Sequence, residues 1–295
     1  MPTSLPIKEK IKKLKLEYDT LRRGKDTLLQ MIDDAEVPEM VYNSNAIENS
    51  TLTLKETERI LLEMEISRDV SLREVYEAKN LSRVIGYIRT KVDVMDITKE
   101  LILLLHKMLI GGINDDIAGR FRQKNEYVRI GTFIAPPPEH VEVLIENELT
   151  EYSSDLTKYF ADKIALFHLK FESTHPFNDG NGRIGRVLMN YQLQRLGFPM
   201  IIIRDKEKQA YYKGFQAFND DRNTKPMEKV VSLALTESLH KRNTYLKGES
   251  ITFLSEYAKK SKKSVSALLN AARRQSIPAF REKGIWKIGQ KFELP

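Results

Sequence analysis

Residues 175–186 read His-Pro-Phe-Asn-Asp-Gly-Asn-Gly-Arg-Ile-Gly-Arg, and this stretch constrains the chain more than any other. Pro176 and the glycines at 180 and 182 disfavour regular structure, so a loop must separate the segments on either side. Those segments read as helices, Lys158–Phe171 before the loop and Arg183–Leu196 after it, the second closed by Gly197. A Gly-Asn-Gly turn lets consecutive N–H groups converge into a nest that prefers anions. The helix starting near Arg183 adds its free donors and its dipole. Arg183 and Arg186 are three apart and share one face of its first turn. Arginines there oppose the helix dipole at a cost of roughly a few tenths of a kcal/mol, which a bound phosphate offsets.

Asp179 would repel that phosphate unless a divalent cation lies between them, and a hard carboxylate oxygen suits Mg²⁺. His175 lies upstream of the nest, where it can take a proton from an incoming hydroxyl. Together the residues point to attack of a hydroxyl on phosphorus, with the charge held by backbone amides and arginine.

Composition narrows the alternatives. With 295 residues the chain can bury a sizeable core, enough for one large domain and a small one. It has no cysteine, which excludes disulfides and thiolate metal sites. Five scattered histidines do not suggest a zinc cluster. No run reaches the ~20 apolar residues of a membrane span, and the lysine-rich start lacks a signal-peptide core. The expectation is a cytoplasmic protein that does not engage a membrane. The net charge of +7 is uneven: residues 241–295 carry 13 Lys and Arg against 4 Glu, so the rest of the chain sums to −2. The basic character belongs to a C-terminal module with its own partner.

Periodicity predicts helices over residues 7–34, Thr53–Ile66, Leu72–Thr90, Thr98–Ile110, Val141–Ser153, Lys208–Phe218 and Met227–Arg242, with Asn43–Asn49 as a short polar segment. Tyr127–Ile134 alternates and is halted by Pro136–Pro138, which predicts a small hairpin. Leu254–Lys260 and Val265–Gln275 read as two short helices, and Ile277–Phe292 as two strands around Glu282-Lys283-Gly284. That order suggests a winged-helix unit. The His168 and Glu172 pair has i, i+4 spacing, but two ligands do not make a metal site, and a buried, hydrogen-bonded His168 is the favoured reading. His106 and His140 show no partner in sequence.

The loop resembles the Fic family signature, His-x-Phe-x-(Asp/Glu)-Gly-Asn-Gly-Arg-x-x-Arg, at every defined position. The resemblance covers roughly residues 40–240. It implies a mainly α-helical fold with a small β-hairpin flap, and transfer of AMP from ATP to a Ser, Thr or Tyr hydroxyl of a target protein with release of pyrophosphate. His175 would then be the general base and Asp179 the Mg²⁺ ligand. Gly180, Asn181 and Gly182 would form the anion hole. Arg183 and Arg186, with Ile184 and Gly185 between them, would hold the β- and γ-phosphates. Ile130, Gly131, Thr132 and Phe133 look like the flap that aligns the target by strand pairing. Tyr211, Tyr212 and Asn219 stand where relatives contact adenine and ribose.

Ser44–Asn49 is similar to the family's inhibitory pattern, (Ser/Thr)-x-x-x-Glu-(Gly/Asn). Its upstream position implies an N-terminal inhibitory helix in which Glu48 pairs with Arg186 and takes the place of the γ-phosphate. A carboxylate and a phosphate oxygen compete for the same guanidinium fork. Three regions are expected: a helical region over 1–95 with the inhibitory segment 44–49, a catalytic core over 96–242, and a basic winged-helix-like module over 246–295. Two other functions compete with adenylyl transfer. One is a nucleic-acid-binding regulator with a subordinate Fic core, contacting DNA through residues 246–295. The other is a hydrolase that removes AMP using Glu48. Dimerisation is frequent in the family, which makes a homodimer an expectation.

Overall fold

The computed structural model describes residues 3–66, 69–92, 95–131 and 133–292. In chain order it contains α1 (Leu5–Leu21), α2 (Asp26–Ile47), α3 (Leu54–Glu58), α4 (Leu72–Lys91), α5 (Lys99–Ile110), β1 (Arg129–Ile130), β2 (Phe133–Ile134), α6 (Val141–Ser154), α7 (Phe160–Thr174), α8 (Asn181–Arg195), α9 (Lys208–Asp221), α10 (Lys225–Leu246), β3 (Ile251–Phe253), α11 (Leu254–Lys260), α12 (Val265–Arg273), β4 (Ala279–Glu282) and β5 (Ile285–Gly289). Two compact units emerge. Among the described residues, the first holds Thr3, 37–198 and 203–230, and the second holds 4–36, 199–202 and 231–292. Among the described residues no helix is long and apolar enough to cross a membrane.

The first unit is built around α8. From Arg183 to Leu193 this helix is buried on every side. The α4, α5 and α7 helices pack against it. Their apolar faces supply the core: Leu81, Val84 and Ile88 from α4, Leu101 and Leu105 from α5, Ile164 and Phe171 from α7. Since α8 carries Asn181, Arg183, Arg186, Asn190 and Gln192, burial brings polar groups into the interior. Such groups need partners there, and that demand shapes the loop at the N-terminus of α8. Side-chain caps start three of the neighbouring helices: Thr53 for α3, in a capping box with Glu56, Ser71 for α4 and Thr98 for α5.

The second unit ends in a small module. Its sheet has strand order β3-β5-β4, antiparallel throughout, with Thr252 opposite Ile288 and Arg281 opposite Trp286. Lys283 and Gly284 both take positive φ at the tip of the β4–β5 hairpin, as a tight two-residue turn requires. Leu254 and Ala258 of α11, Leu268 and Ala272 of α12, and Ile277, Ala279 and Ile288 form one core.

Three boundaries depart from the sequence reading. Residues 7–34 are not one helix: Gly24, at φ 69°, separates α1 from α2. The Asn43–Asn49 segment begins as the last turn of α2, which continues through Pro38. Part of the Thr53–Ile66 stretch, Arg59–Glu63, is a π-helical turn that ends at Met64 in the left-handed region. Strand β3 went unpredicted because three residues carry too little alternation to register.

Candidate active site

Helix α7 ends at Thr174, and His175 caps it in the left-handed region at φ 48°. Pro176 prevents the helix from continuing. The turn aims the His175 ring Nδ1 at the carbonyl of Glu172, 3.2 Å away. That carbonyl only accepts, so Nδ1 carries the proton and Nε2 keeps its lone pair. Burial lowers the His175 pKa below its ordinary value of 6.5, outweighing the Glu172 carbonyl, which raises it. The ring is therefore neutral at neutral pH, as a base must be.

The loop is held from three sides. Asn181 closes it internally, accepting from the Phe177 amide at 2.9 Å and donating to the Phe177 carbonyl at 2.8 Å. His106 stacks on Phe177 with ring centroids 3.7 Å apart. Its Nδ1 accepts from Gly119 N–H, which leaves Nε2 to donate to the Asp179 carbonyl, both at 3.0 Å. Burial lowers the pKa of this ring to about 4, so it stays neutral. Arg122, itself buried, donates to the carbonyls of His175 at 2.8 Å, Pro136 at 2.8 Å and Glu126 at 2.9 Å. It ties the His175 turn to the segment that follows the hairpin. His106 and Arg122 were not legible in the sequence. Their partners are backbone carbonyls and amides, which leave no residue-type signal.

Gly180 takes φ 82°, and a Cβ there would lie 3.1 Å from Leu109. Gly182 is more demanding, because a Cβ there would meet Glu48 Oε1 at 2.1 Å and Arg186 Nη1 at 3.1 Å. Glu48, just past the end of α2, thus lies on the Gly182 backbone. Its Oε1 accepts from Arg186 Nη2 at 2.8 Å. The same guanidinium donates to the Ser44 hydroxyl at 3.0 Å, to the Ser44 carbonyl at 2.8 Å and to Tyr211 Oη at 3.3 Å. Tyr212 Oη donates to the Ile47 carbonyl at 2.8 Å. Ser44, Ile47 and Glu48 therefore meet α8 and α9 through Arg186 and Tyr212.

Behind Arg186 lies a second layer. His168 Nε2 meets Tyr211 Oη at 2.8 Å, and a Cβ on Gly185 would meet Glu172 Oε1 at 2.4 Å and the His168 ring at 2.9 Å. Burial pushes Glu172 up to about 8, with Glu48 adding to the effect, and pushes His168 down to about 3. Both groups are neutral at neutral pH. Tyr211 is 2% exposed, so in this arrangement it supports Arg186 and offers no open ring to a base, whereas Tyr212 is 42% exposed. Asn219 accepts from Ser173 Oγ at 3.4 Å.

Arg183 is paired differently. Its guanidinium meets Asp179 at 2.8 Å and Glu77 at 3.3 Å, and Arg73 meets the same two carboxylates at 2.6 and 3.1 Å. Asp179 thus keeps two arginine partners while its carboxylate stays one-third exposed. Among the described residues no three His, Asp or Glu side chains converge as metal ligands. Mg²⁺ uses as few as one protein carboxylate beside nucleotide phosphates, and Asp179 offers that one.

The hairpin β1–β2 pairs Arg129 with Ile134 and Ile130 with Phe133 across Gly131, which takes φ 57°. Thr132 lies outside the described residues. The hairpin is a two-stranded sheet, so each strand keeps a free edge among the described residues.

Residues 96–193, which span α5 to α8 and include the whole loop, match the Fic/DOC family model. This segment of the chain is thus similar to a Fic/DOC domain. Over 186 residues it is 36% identical to the protein adenylyltransferase Fic of Drosophila willistoni, covering 61% of this chain and 36% of that protein. The Drosophila melanogaster protein of the same name is 35% identical over 186 residues. The match thus spans little more than a third of the length of these curated relatives. Among solved structures, a Fic domain containing signaling protein from Bacteroides thetaiotaomicron superposes with a TM-score of 0.75 at 26% identity, over 82% of this chain and 98% of that one. Fic-1 from C. elegans superposes with a TM-score of 0.70 at 24% identity, covering 80% of this chain and 70% of that one, a likeness of fold alone.

Proposed function

We propose that the chain is a protein adenylyltransferase that moves AMP from ATP to a hydroxyl of a target protein and is held inactive by Glu48. The observation that carries this reading is the Glu48 carboxylate on Arg186 and against Gly182, where only an anion fits the donors. A phosphate competes for that place with the same charge and a matching fork of oxygens. In the reaction, the target hydroxyl oxygen bonds to the α-phosphorus of ATP and the bond from that phosphorus to the bridging oxygen breaks. Pyrophosphate leaves, and the hydroxyl proton passes to Nε2 of His175. The loop amides and Arg186 hold the phosphate charge. Asp179 is the protein ligand in this reading for Mg²⁺, whose charge would neutralise the phosphates; Arg73 and Arg183 must then share it. Tyr212 and Asn219 border the nucleotide, and the free hairpin edge receives an extended target segment. Likeness to proteins named protein adenylyltransferase Fic supports the assignment.

The test follows labelled AMP from ATP in wild type, Glu48→Gly, and Glu48→Gly with His175→Ala. Losing one charge-assisted bond worth ~1.5–3 kcal/mol should raise self-modification by roughly 10- to 100-fold in Glu48→Gly. Adding His175→Ala should cut it by about 10²–10⁴-fold. An unchanged rate in the first variant removes Glu48 as inhibitor, and persistence in the second removes His175 as base. Loss of AMP removal from a modified protein in Glu48→Gly would instead favour the hydrolase.

A further inference from the structure

The second unit ends in a strongly basic surface. Helices α11 and α12 are joined by Ser261–Ser264, a four-residue turn. Backbone bonds fix it: Ser261 N–H donates to Tyr257 at 2.9 Å and Lys263 N–H to Ala258 at 3.0 Å. Helix α12 buries Leu268 and Ala272 in the module core, which settles the face it presents to solvent. That face carries Ser266, Asn270 and Arg273, all exposed, at i, i+4 and i+7. These side chains are short or planar hydrogen-bonding groups, with no large apolar residue among them.

Charge frames this face. Lys259, Lys260, Lys262 and Lys263 precede α12, and Arg273 and Arg274 end it; all are exposed. None of these cations has an ion-pair partner among the described residues. Glu256 is the one acid between residues 254 and 274, and it accepts from Thr252 Oγ1 at 2.8 Å. The hairpin tip adds an exposed Lys283 beside an exposed Ile285.

We propose that this module binds duplex DNA, with α12 entering the major groove and the lysines of the turn on the phosphates. A helix reads base edges in that groove, where an arginine matches guanine and an asparagine matches adenine. Arg273 and Asn270 are those two residue types, one turn apart on the open face. The cations around them supply positioning on phosphates, which gives affinity without sequence choice. A protein partner would be expected to find a buried apolar centre, and the open face of α12 lacks one. The proposal is independent of the adenylyl-transfer reading, since it rests on residues of the second unit alone.

The test uses the full chain and a short, labelled, random-sequence DNA duplex. Binding followed by anisotropy between roughly 50 and 200 mM salt should give a log–log slope of about −3 to −5. Lys262→Ala with Arg273→Ala should reduce that slope by about 2. Lys12→Ala with Lys13→Ala on α1 removes the same charge elsewhere and should leave the slope unchanged. Asn270→Ala should keep random-duplex affinity but lose preference for sequences selected by the wild type. The residues changed are exposed, and thermal unfolding checks that each variant remains folded. No binding at the lowest salt overturns the proposal, as do equal losses from the two double variants. Preferential competition by an RNA duplex overturns it too.

Discussion

Arg186 in the first unit and Arg242 in the second are buried almost equally, at 6% and 1% exposure, yet their counter-charges differ in kind. Arg242 donates to Asp33 and Glu36, each at 2.6 Å, and to Ser238 at 2.9 Å. Glu36 is buried, and burial alone would raise it, but Arg242 and Lys241 hold it down at about 2. This is a permanent pair. Arg186 also meets a carboxylate, but Glu48 is 39% exposed and attached just beyond a helix end. The other acid near it, Glu172, is half-buried and neutral, with its Oε1 enclosed and unpartnered. A buried arginine whose main counter-charge can leave for water is built to exchange partners. One whose counter-charges are buried with it is built to stay.

The sharpest break of this contrast is Arg242→Ala. It leaves Glu36 with Lys241 alone and deprives part-buried Asp33 of its arginine, and should cost about 3 kcal/mol of stability by urea unfolding, the lower end of what breaking a buried pair costs. A loss below about 1 kcal/mol would mean that water reaches the pair, and the distinction between permanent and exchangeable partners would fail. Arg186→Ala should behave in the opposite sense. Glu48 regains water when its partner goes, so stability falls less. Transfer activity, measured with Glu48→Gly in the background, should drop by about 10²–10³-fold, the value of one positioned donor to developing charge.

Much of this was legible in the sequence, and the boundary has a physical reason. Gly180, Gly182, Arg183 and Arg186 point to an anion site by residue type alone, since backbone freedom and charge need no partner to be read, and the structure adds the carboxylate of Glu48 on Arg186. The helices α5, α7 and α8 were readable because their apolar positions repeat every turn. Glu48 was readable only beside the loop, since a carboxylate after a helix is otherwise commonplace. Illegible were Arg122, which donates to the carbonyls of His175 and Pro136, and the stack of His106 on Phe177. Arg122 meets backbone carbonyls, which carry no residue-type signal, and His106 meets a ring far along the chain with no periodicity to link the two. The buried state of Tyr211 was also illegible, because a tyrosine on an amphipathic helix can open to a ligand or support a neighbour. Asn181 carries a lesson about signatures: its side-chain amide is engaged at both ends within the loop, so it fixes the shape of the turn.

The smallest effect sharpens the comparison through pH. Glu172 has an ordinary carboxyl value of 4.5 and is raised to about 8 in the folded protein, chiefly by burial and then by Glu48. A raised value means that the folded state holds a proton that the unfolded state releases between these limits. The corresponding stability is fully present below pH 4.5 and is lost as pH rises through about 8. Glu172→Gln keeps the shape and removes the titration. Urea unfolding should show wild type losing roughly 1–3 kcal/mol more than this variant across that window. Glu36 offers the reverse control, since its depressed value contributes stability that is lost only as pH falls toward 2. Glu48→Gly removes one of the charges that raise Glu172, and should therefore move the Glu172 window to lower pH. If that window stays in place, Glu48 and Glu172 do not share the field of Arg186, and the exchangeable partner is not electrically connected to the layer behind it.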